Sequence, residues 1–298
     1  MEGSRMPYTD AQKAVMGRWN LMVDLPDGAQ PSWLEITYSG HRTLVGQFVG
    51  WHGSARPIAR VDVDENGLRF AIPPQWEHGD ADLTVEGQVQ GDRISGTLTA
   101  PDGTRAAWSG RRAPGLRRAT VPGWGEAIQL FNGSDLSGWR VIQGPEYWQV
   151  SDGILQNVKT GGNLVTNQHF TDFQLHLEFR YAPGGNSGVY LRGRYEVQGF
   201  DGPPAEPNSH LQGGIYGFLE PSEVVTKGAN ERNTLDITLN ERMVTVVVNG
   251  VTVISNQAIP GITGGALDSD EGAPGPIMLQ GDHTPVEYRN IVITPAAE

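Results

Sequence analysis

The strongest constraint on this chain is an alternation of period two that begins at Phe173. In FQLHLEFRY, Phe173, Leu175, Leu177 and Phe179 share one parity, and Gln174, His176, Glu178 and Arg180 share the other. Successive side chains of a strand point to opposite faces, so this is a strand with one face buried. After the Gly-rich turn APGGNSG the pattern resumes. Val189, Leu191, Tyr195 and Val197 alternate with Tyr190, Arg192, Arg194, Glu196 and Gln198. A solvated face needs only Lys, Thr or Ser. These positions instead hold groups that accept, donate and titrate. Two such strands laid side by side would make an ionisable floor on an apolar sheet. The even-numbered side chains from 174 to 198 are therefore expected to share one hollow.

The rest of the chain has the same texture. With 40 Gly, 20 Pro and few helical patterns, it reads as all-β with many turns. Its 298 residues leave room for two domains of about 100–200 residues each. A net charge of -12 repels phosphate backbones and argues against nucleic acid as a partner. The absence of Cys excludes disulfides and thiolate metal or redox sites. No apolar run is long enough to span a bilayer as a helix. MEGSRMPYTD lacks the apolar core of a signal peptide. The location is read as extracytoplasmic if a leader has been removed, and as cytoplasmic otherwise.

Residues Asp10 to Met16 suit one short helix with Asp10 as its cap. From Gly17, eight short strands follow, from GRWNLMVDL to AAWSGRR, separated by turn signals such as Asn66-Gly67 and Asp102-Gly103. They suit a small antiparallel barrel or sandwich over residues 1–114. Trp19, Trp33 and Trp108 are expected in its core, and Trp51 and Trp76, beside Gly, His and Pro, nearer the surface. Residues 115–125 read as a linker within the Arg-rich, aperiodic run RRAPGLRRATVPGWG. Residues 126–298 hold about a dozen further strands and two long loops. MVTVVVNGVTVIS is a hairpin around Asn249-Gly250, the pair that a type I′ turn prefers. A two-sheet jelly-roll sandwich fits this second domain.

LFNGSDLSGW, WQVSDGIL, GGNLVT, FQLHLEFR, GGNSGVYLRGRYEVQ, GGIYG, DSDEGAPGPIMLQGDH and VEYRNI occur in this order between about 126 and 296. Each is weak alone. As an ordered set they resemble the 3-keto-disaccharide hydrolase family, whose domains resemble concanavalin A-like and laminin G-like jelly rolls. The resemblance implies action on sugars whose C3 hydroxyl has been oxidised to a ketone. Such chemistry needs one base for the C2 hydrogen, one acid for the leaving oxygen, and a cationic or hydrogen-bonding group for the enolate.

Within that implied chemistry, Glu196 is the first choice for the base and Glu178 the second. The alternative for Glu196 is an ion pair with Arg192 or Arg194. Arg192 or Arg289 could stabilise the enolate or hold sugar hydroxyls, and one of Asp201, His210, Asp282 and His283 could be the general acid or a metal ligand, with His283 beside Asp282 the suggestive pair. Gln198, Asn186, Arg180, Asp201, Gln280, Asp282 and Arg289 are candidates for holding sugar hydroxyls. Arg289 could equally pair structurally with Glu178 or Glu287, and Asn186 could serve the turn. His210 is a further strand-end candidate. No transition-metal spacing is present. Asp268, Asp270 and Glu271 form an oxygen-rich run that differs from the calcium loop; a solvated acidic loop is preferred, with a divalent cation such as calcium left open. The expected partner is a carbohydrate. A lectin-like module that binds sugar without cleaving it is the alternative, and a scaffold domain ranks third.

Overall fold

The computed structural model describes residues 8–40, 42–118, 120–200 and 208–297. The chain divides into two compact units. The first takes Met1–Pro114 with Gly261–Glu271, and the second takes Gly115–Pro260 with Gly272–Glu298. Both are built from strands, and the expected pairing of a small β-domain with a jelly-roll sandwich is the one observed.

In the first unit a short helix, α1 (Asp10–Val15), leads into β1 (Gly17–Leu25), β2 (Gly28–Ser39), β3 (Thr43–Val49), β4 (Arg56–Asp64), β5 (Gly67–Ile72), β6 (Leu83–Gln90), β7 (Arg93–Thr99) and β8 (Arg105–Arg112). Each strand pairs antiparallel with the next, and β8 returns to β1, closing a barrel. Closure leaves no open edge for another chain to pair with. The cap of α1 is Thr9, not Asp10. Its hydroxyl accepts the Gln12 amide at 3.1 Å, and the Gln12 side chain accepts the Thr9 amide at 3.0 Å. This reciprocal box satisfies two otherwise orphaned donors.

Alternation fills the barrel. Trp19, Leu21 and Val23 point inward from β1 and meet Phe48, Phe70 and Trp108, all nearly inaccessible. Each such side chain contributes about 1.5–3 kcal/mol through burial. The Arg112 guanidinium lies 3.8 Å from the Trp19 ring and donates to the carbonyls of Ala14 and Met16. Arg111 and Arg112 thus belong to β8 rather than to a linker.

Trp33 has the opposite parity to Leu34 and Ile36, yet it is fully buried. Gly261 lies against it: a Cβ there would come within 2.2 Å of Trp33 Nε1. Gly264 approaches the Gly53 carbonyl so closely that a Cβ would stand 2.0 Å from it. The stretch Gly261–Glu271 therefore packs on the outside of the barrel. This corrects the expectation of a solvated acidic loop at 268–271, because Glu271 is fully buried. Among the described residues, no group of three or more His, Asp or Glu side chains is placed to hold a metal ion. Trp51 and Trp76 are half-buried, edge to face at 4.9 Å.

The second unit contains β9 (Ile128–Gln129), β10 (Trp139–Ile142), β11 (Trp148–Ser151), β12 (Ile154–Asn157), β13 (Asn163–Thr166), β14 (Phe173–Tyr181), β15 (Asn186–Leu191), β16 (Tyr195–Phe200), β17 (Asn233–Asn240), β18 (Met243–Val248), β19 (Val251–Ala258), β20 (Met278–Leu279) and β21 (Val286–Pro295). One sheet runs β10-β13-β20-β15-β16, the other β11-β12-β21-β14-β17-β18-β19 with β9 on β21. The Asn249-Gly250 hairpin forms as read, both residues at positive φ (50° and 82°). Arg118 pairs with buried Asp172 at 2.9 Å, and Gly125 donates to Pro295 O, so Arg118 and Gly125 pack within this unit.

Two features depart from the sequence reading. The stretch 189–198 is not one strand but a hairpin. Its turn places Arg192 and Gly193 at positive φ (53° and 65°), and Arg194 N donates to Leu191 O. Nor does β14 lie beside β15. It pairs with β17 and β21 in the other sheet.

Candidate functional site

The hairpin β15–β16 presents two faces. Ser187, Val189, Leu191, Tyr195 and Val197 face inward; Ser187 Oγ meets Tyr288 Oη of the opposite sheet at 2.8 Å. Gly188, Tyr190, Glu196 and Gln198 take the other face. Gly188 stands opposite Gln198, and Tyr190 opposite Glu196. Tyr190 Oη donates to Glu196 Oε2 at 2.9 Å. Glu196 Oε1 leans over Gly188, where a Cβ would come within 2.2 Å of it. Gly188 is not at positive φ, so its missing side chain leaves room for the carboxyl rather than serving the backbone.

Glu196 is 3% exposed. Burial pushes its carboxyl from the ordinary 4.5 up to about 7. The Tyr190 hydrogen bond and the His283 charge pull it down, and Asp282 pushes it up. Burial, with the Glu196 carboxylate adding to it, raises Tyr190 and Tyr216 above the usual phenol value. Tyr216 N donates to Glu196 O at 3.1 Å, which ties the 208–219 segment to the free edge of β16. His210 stands edge-on to Tyr216 at 5.0 Å, with its imidazole pKa lowered by burial.

Gln280 follows β20 and donates its amide to Gly188 O at 2.9 Å. Gln198 and Gln280 are 5% and 8% exposed, and among the described residues the Oε1 of each has no hydrogen-bond partner. Buried acceptors left open in this way are ready for hydroxyl donors. Asn186 shares the face and accepts from Gln198 Nε2 at 3.5 Å. Asp282 and His283 sit in the next loop, paired at 2.7 Å. Asp282 raises the His283 pKa by hydrogen bond and charge, against burial, and Glu196 adds to the rise. Buried Asn163 and Asn157 hold this loop through Gly281 N and O, each at 2.8 Å. Thr160 bonds the His283 carbonyl.

Thus Glu196, Gln198, Asn186 and Gln280 are brought together, with Asp282 and His283 in the adjoining loop. Others are not. Glu178 lies on the outer face of β14, where its carboxylate meets Arg289 at 2.7 Å and Asn290. Burial alone would raise its pKa, but the hydrogen bonds from Arg289 and Asn290 outweigh this and lower it. Arg180 grips Glu287 with two hydrogen bonds of 2.8 Å on the same sheet. The polarity of β14 is therefore explained by cross-strand ion pairs, not by a shared hollow with Glu196. Arg192 is buried in the hairpin turn and donates to Tyr195 Oη (3.2 Å) and Glu241 O (2.9 Å), away from the Glu196 face. Asp201 lies outside the described residues.

The reading missed Tyr190, Tyr216 and Gly188. Tyr190 carried a signal, since it shares the parity of Glu196. For Gly188 and Tyr216 the signal is tertiary: Gly188 underlies a side chain eight positions away, and Tyr216 reaches β16 across a long loop.

These features define a two-sheet jelly roll with a buried carboxyl of raised pKa on one sheet, surrounded by phenols, amides and an Asp–His pair. Residues 126–294 match the family described as the 3-keto-alpha-glucoside-1,2-lyase-like domain, and the chain belongs to that family. A 3-keto-disaccharide hydrolase of Bacteroides thetaiotaomicron is 29% identical over 75 residues, which cover 21% of this chain and 26% of that protein. The match thus spans about a quarter of the curated relative. Two crystal structures of candidate glycosyl hydrolases from Parabacteroides distasonis are also similar. One is 31% identical, with 59% of this chain and 92% of that chain covered and a TM-score of 0.49. The other is 25% identical, with 57% and 98% covered and a TM-score of 0.45.

Proposed function

We propose that the jelly-roll unit cleaves 3-keto-glycosides by elimination followed by hydration. The observation that carries this reading is Glu196, a buried carboxyl whose pKa of about 7 suits a base working near neutrality. Family membership points to the substrate class. The ketone at C3 acidifies the C2 hydrogen. Glu196 takes it as a proton, and the C2–H electron pair becomes an enolate on C2, C3 and the C3 oxygen. As the C3=O bond re-forms, a C1=C2 double bond forms and the C1–O bond breaks with its electrons on oxygen. Protonated His283, held by Asp282, gives that oxygen a proton. Water then adds at C1 and passes its proton to His283, while C2 takes a proton from Glu196 after that proton has exchanged with solvent, giving net hydrolysis; release before hydration gives a lyase. Tyr190, and Tyr216 beside it, would donate to the developing oxyanion. Gln198, Gln280 and Asn186 would hold hydroxyls.

The test is incubation with 3-keto-trehalose or a methyl 3-keto-glucoside in D2O. Free sugar carrying deuterium at C2 is the expected product. No cleavage, or free hydrolysed sugar without deuterium at C2, sinks the mechanism; an unsaturated sugar marks the lyase outcome.

Gly188→Ala tests the geometry. The added methyl occupies the space of Glu196 Oε1, so the carboxyl must move by about an ångström. Activity is expected to fall about 100-fold, with an unchanged far-UV spectrum. Near-parental turnover would show that this Glu196 position is not the working one.

A further inference from the structure

The outer face of the barrel carries a second, unrelated cluster. Arg93 of β7 and Arg111 of β8 are direct cross-strand partners. Like charges directly opposite on neighbouring strands destabilise a sheet. None of the ion pairs formed by the described residues involves either arginine. Asn20 of β1 continues the row beyond Arg111, and Gln90 of β6 continues it beyond Arg93. Asn20 is only 9% exposed although it points away from the barrel interior, and its Oδ1 has no partner among the described residues. In the next row, Ser109, Ser95 and Gln88 stand side by side. These two rows line a groove of about 700 Å³, with Asp270 among its other lining residues.

The geometry points to a binding site for a carboxylated sugar, such as a uronic acid residue of an oligosaccharide, in this groove. Two guanidiniums set side by side can grip one carboxylate bidentately. The open Asn20 oxygen takes a hydroxyl donor. The amides of Gln88 and Gln90 and the two serines both donate and accept, which suits the remaining hydroxyls of a polyol. The groove is too large for a lone anion and is of the size that holds small organic ligands. The arginine pair, costly to an empty sheet, is accounted for by the anion it meets. In a chain of net charge -12, this local basic pair would select the acidic sugar against the surrounding field.

Isothermal titration of the whole chain with trigalacturonate tests this. Binding in the millimolar range or tighter is expected, with neutral galactotriose at least about tenfold weaker. Arg93→Ala and Arg111→Ala should each weaken trigalacturonate binding about tenfold or more, and leave turnover of a 3-keto-glycoside unchanged. Arg93→Gln, which relieves the repulsion, should melt no lower than the parent. The proposal is overturned if trigalacturonate does not bind. It is equally overturned if the arginine variants bind it normally, if inorganic phosphate alone binds as tightly, or if Arg93→Gln melts markedly lower.

Discussion

Glu196→Gln is expected to lower kcat on a 3-keto-glycoside by about 100- to 10,000-fold while substrate binding persists. The amide keeps the shape of the carboxyl and can still meet Tyr190, but it cannot accept the C2 proton. In the parent, kcat/KM should rise with pH through about 7, because burial holds the carboxyl protonated below that value. That acidic limb should vanish from the residual activity of the variant. A pure binder would behave otherwise: Glu196→Gln would weaken affinity, and no turnover would exist to lose. The same variant should also be more stable above neutrality. The folded value lies above the ordinary 4.5, so between 4.5 and about 7 the unfolded chain holds fewer protons. Stability from this group therefore falls as pH rises through that window, by up to about 3 kcal/mol. A melting temperature at pH 8 that rises in Glu196→Gln, as activity collapses, would mark Glu196 as a residue retained for chemistry. Full activity in the variant would end its candidacy.

Glu77→Ala should cost the barrel about 3–5 kcal/mol. Arg56 and Glu77 form an ion pair at 2.8 Å with side chains only 8% and 4% exposed. Glu77 Oε2 also accepts the amides of Gln75 (2.9 Å) and Trp76 (3.2 Å). Burial would raise its pKa, but the Gln75 amide, Arg56 and the backbone amide of Glu77 itself overcome this and lower it. Truncation leaves a buried guanidinium and two backbone donors without their acceptor. The pair itself is not a large net source of stability, because both ions had to be desolvated. The double change Arg56→Met with Glu77→Leu should therefore recover much of the loss. Urea unfolding of the three variants checks both statements, and a single-variant cost below about 1 kcal/mol would mean that water reaches the pair.

The sequence made the strands legible because period two survives wherever one face is buried. All eight barrel strands and the Asn249-Gly250 hairpin were readable from alternation and turn residues. What alternation cannot say is which sheet a strand joins. Glu178 and Glu196 both face outward on polar parities, yet β14 pairs with β17 and β21, which lie more than fifty residues away. That choice is made by the burial of Phe173, Leu175, Leu177 and Phe179 against distant strands, and no local pattern encodes it. Glu196 was placed on the right face because the Leu191–Tyr195 turn spans an even step and preserves parity. Arg192 was misread for the converse reason: its positive φ turns it out of the alternation. The groups that tune Glu196 come from separate segments, so only the folded chain unites them.

The strip that roofs Trp33 comes from far along the chain, at Gly261–Glu271, although the barrel strands are complete by residue 112. The polypeptide thus leaves the barrel, builds most of the jelly roll, and comes back before finishing it. A ribosome would release eight barrel strands well before the cover for Trp33 exists. The barrel is therefore not a detachable cassette: evolution could not swap it for another by a single cut without stripping an indole bare, and its last packing step must wait for late translation.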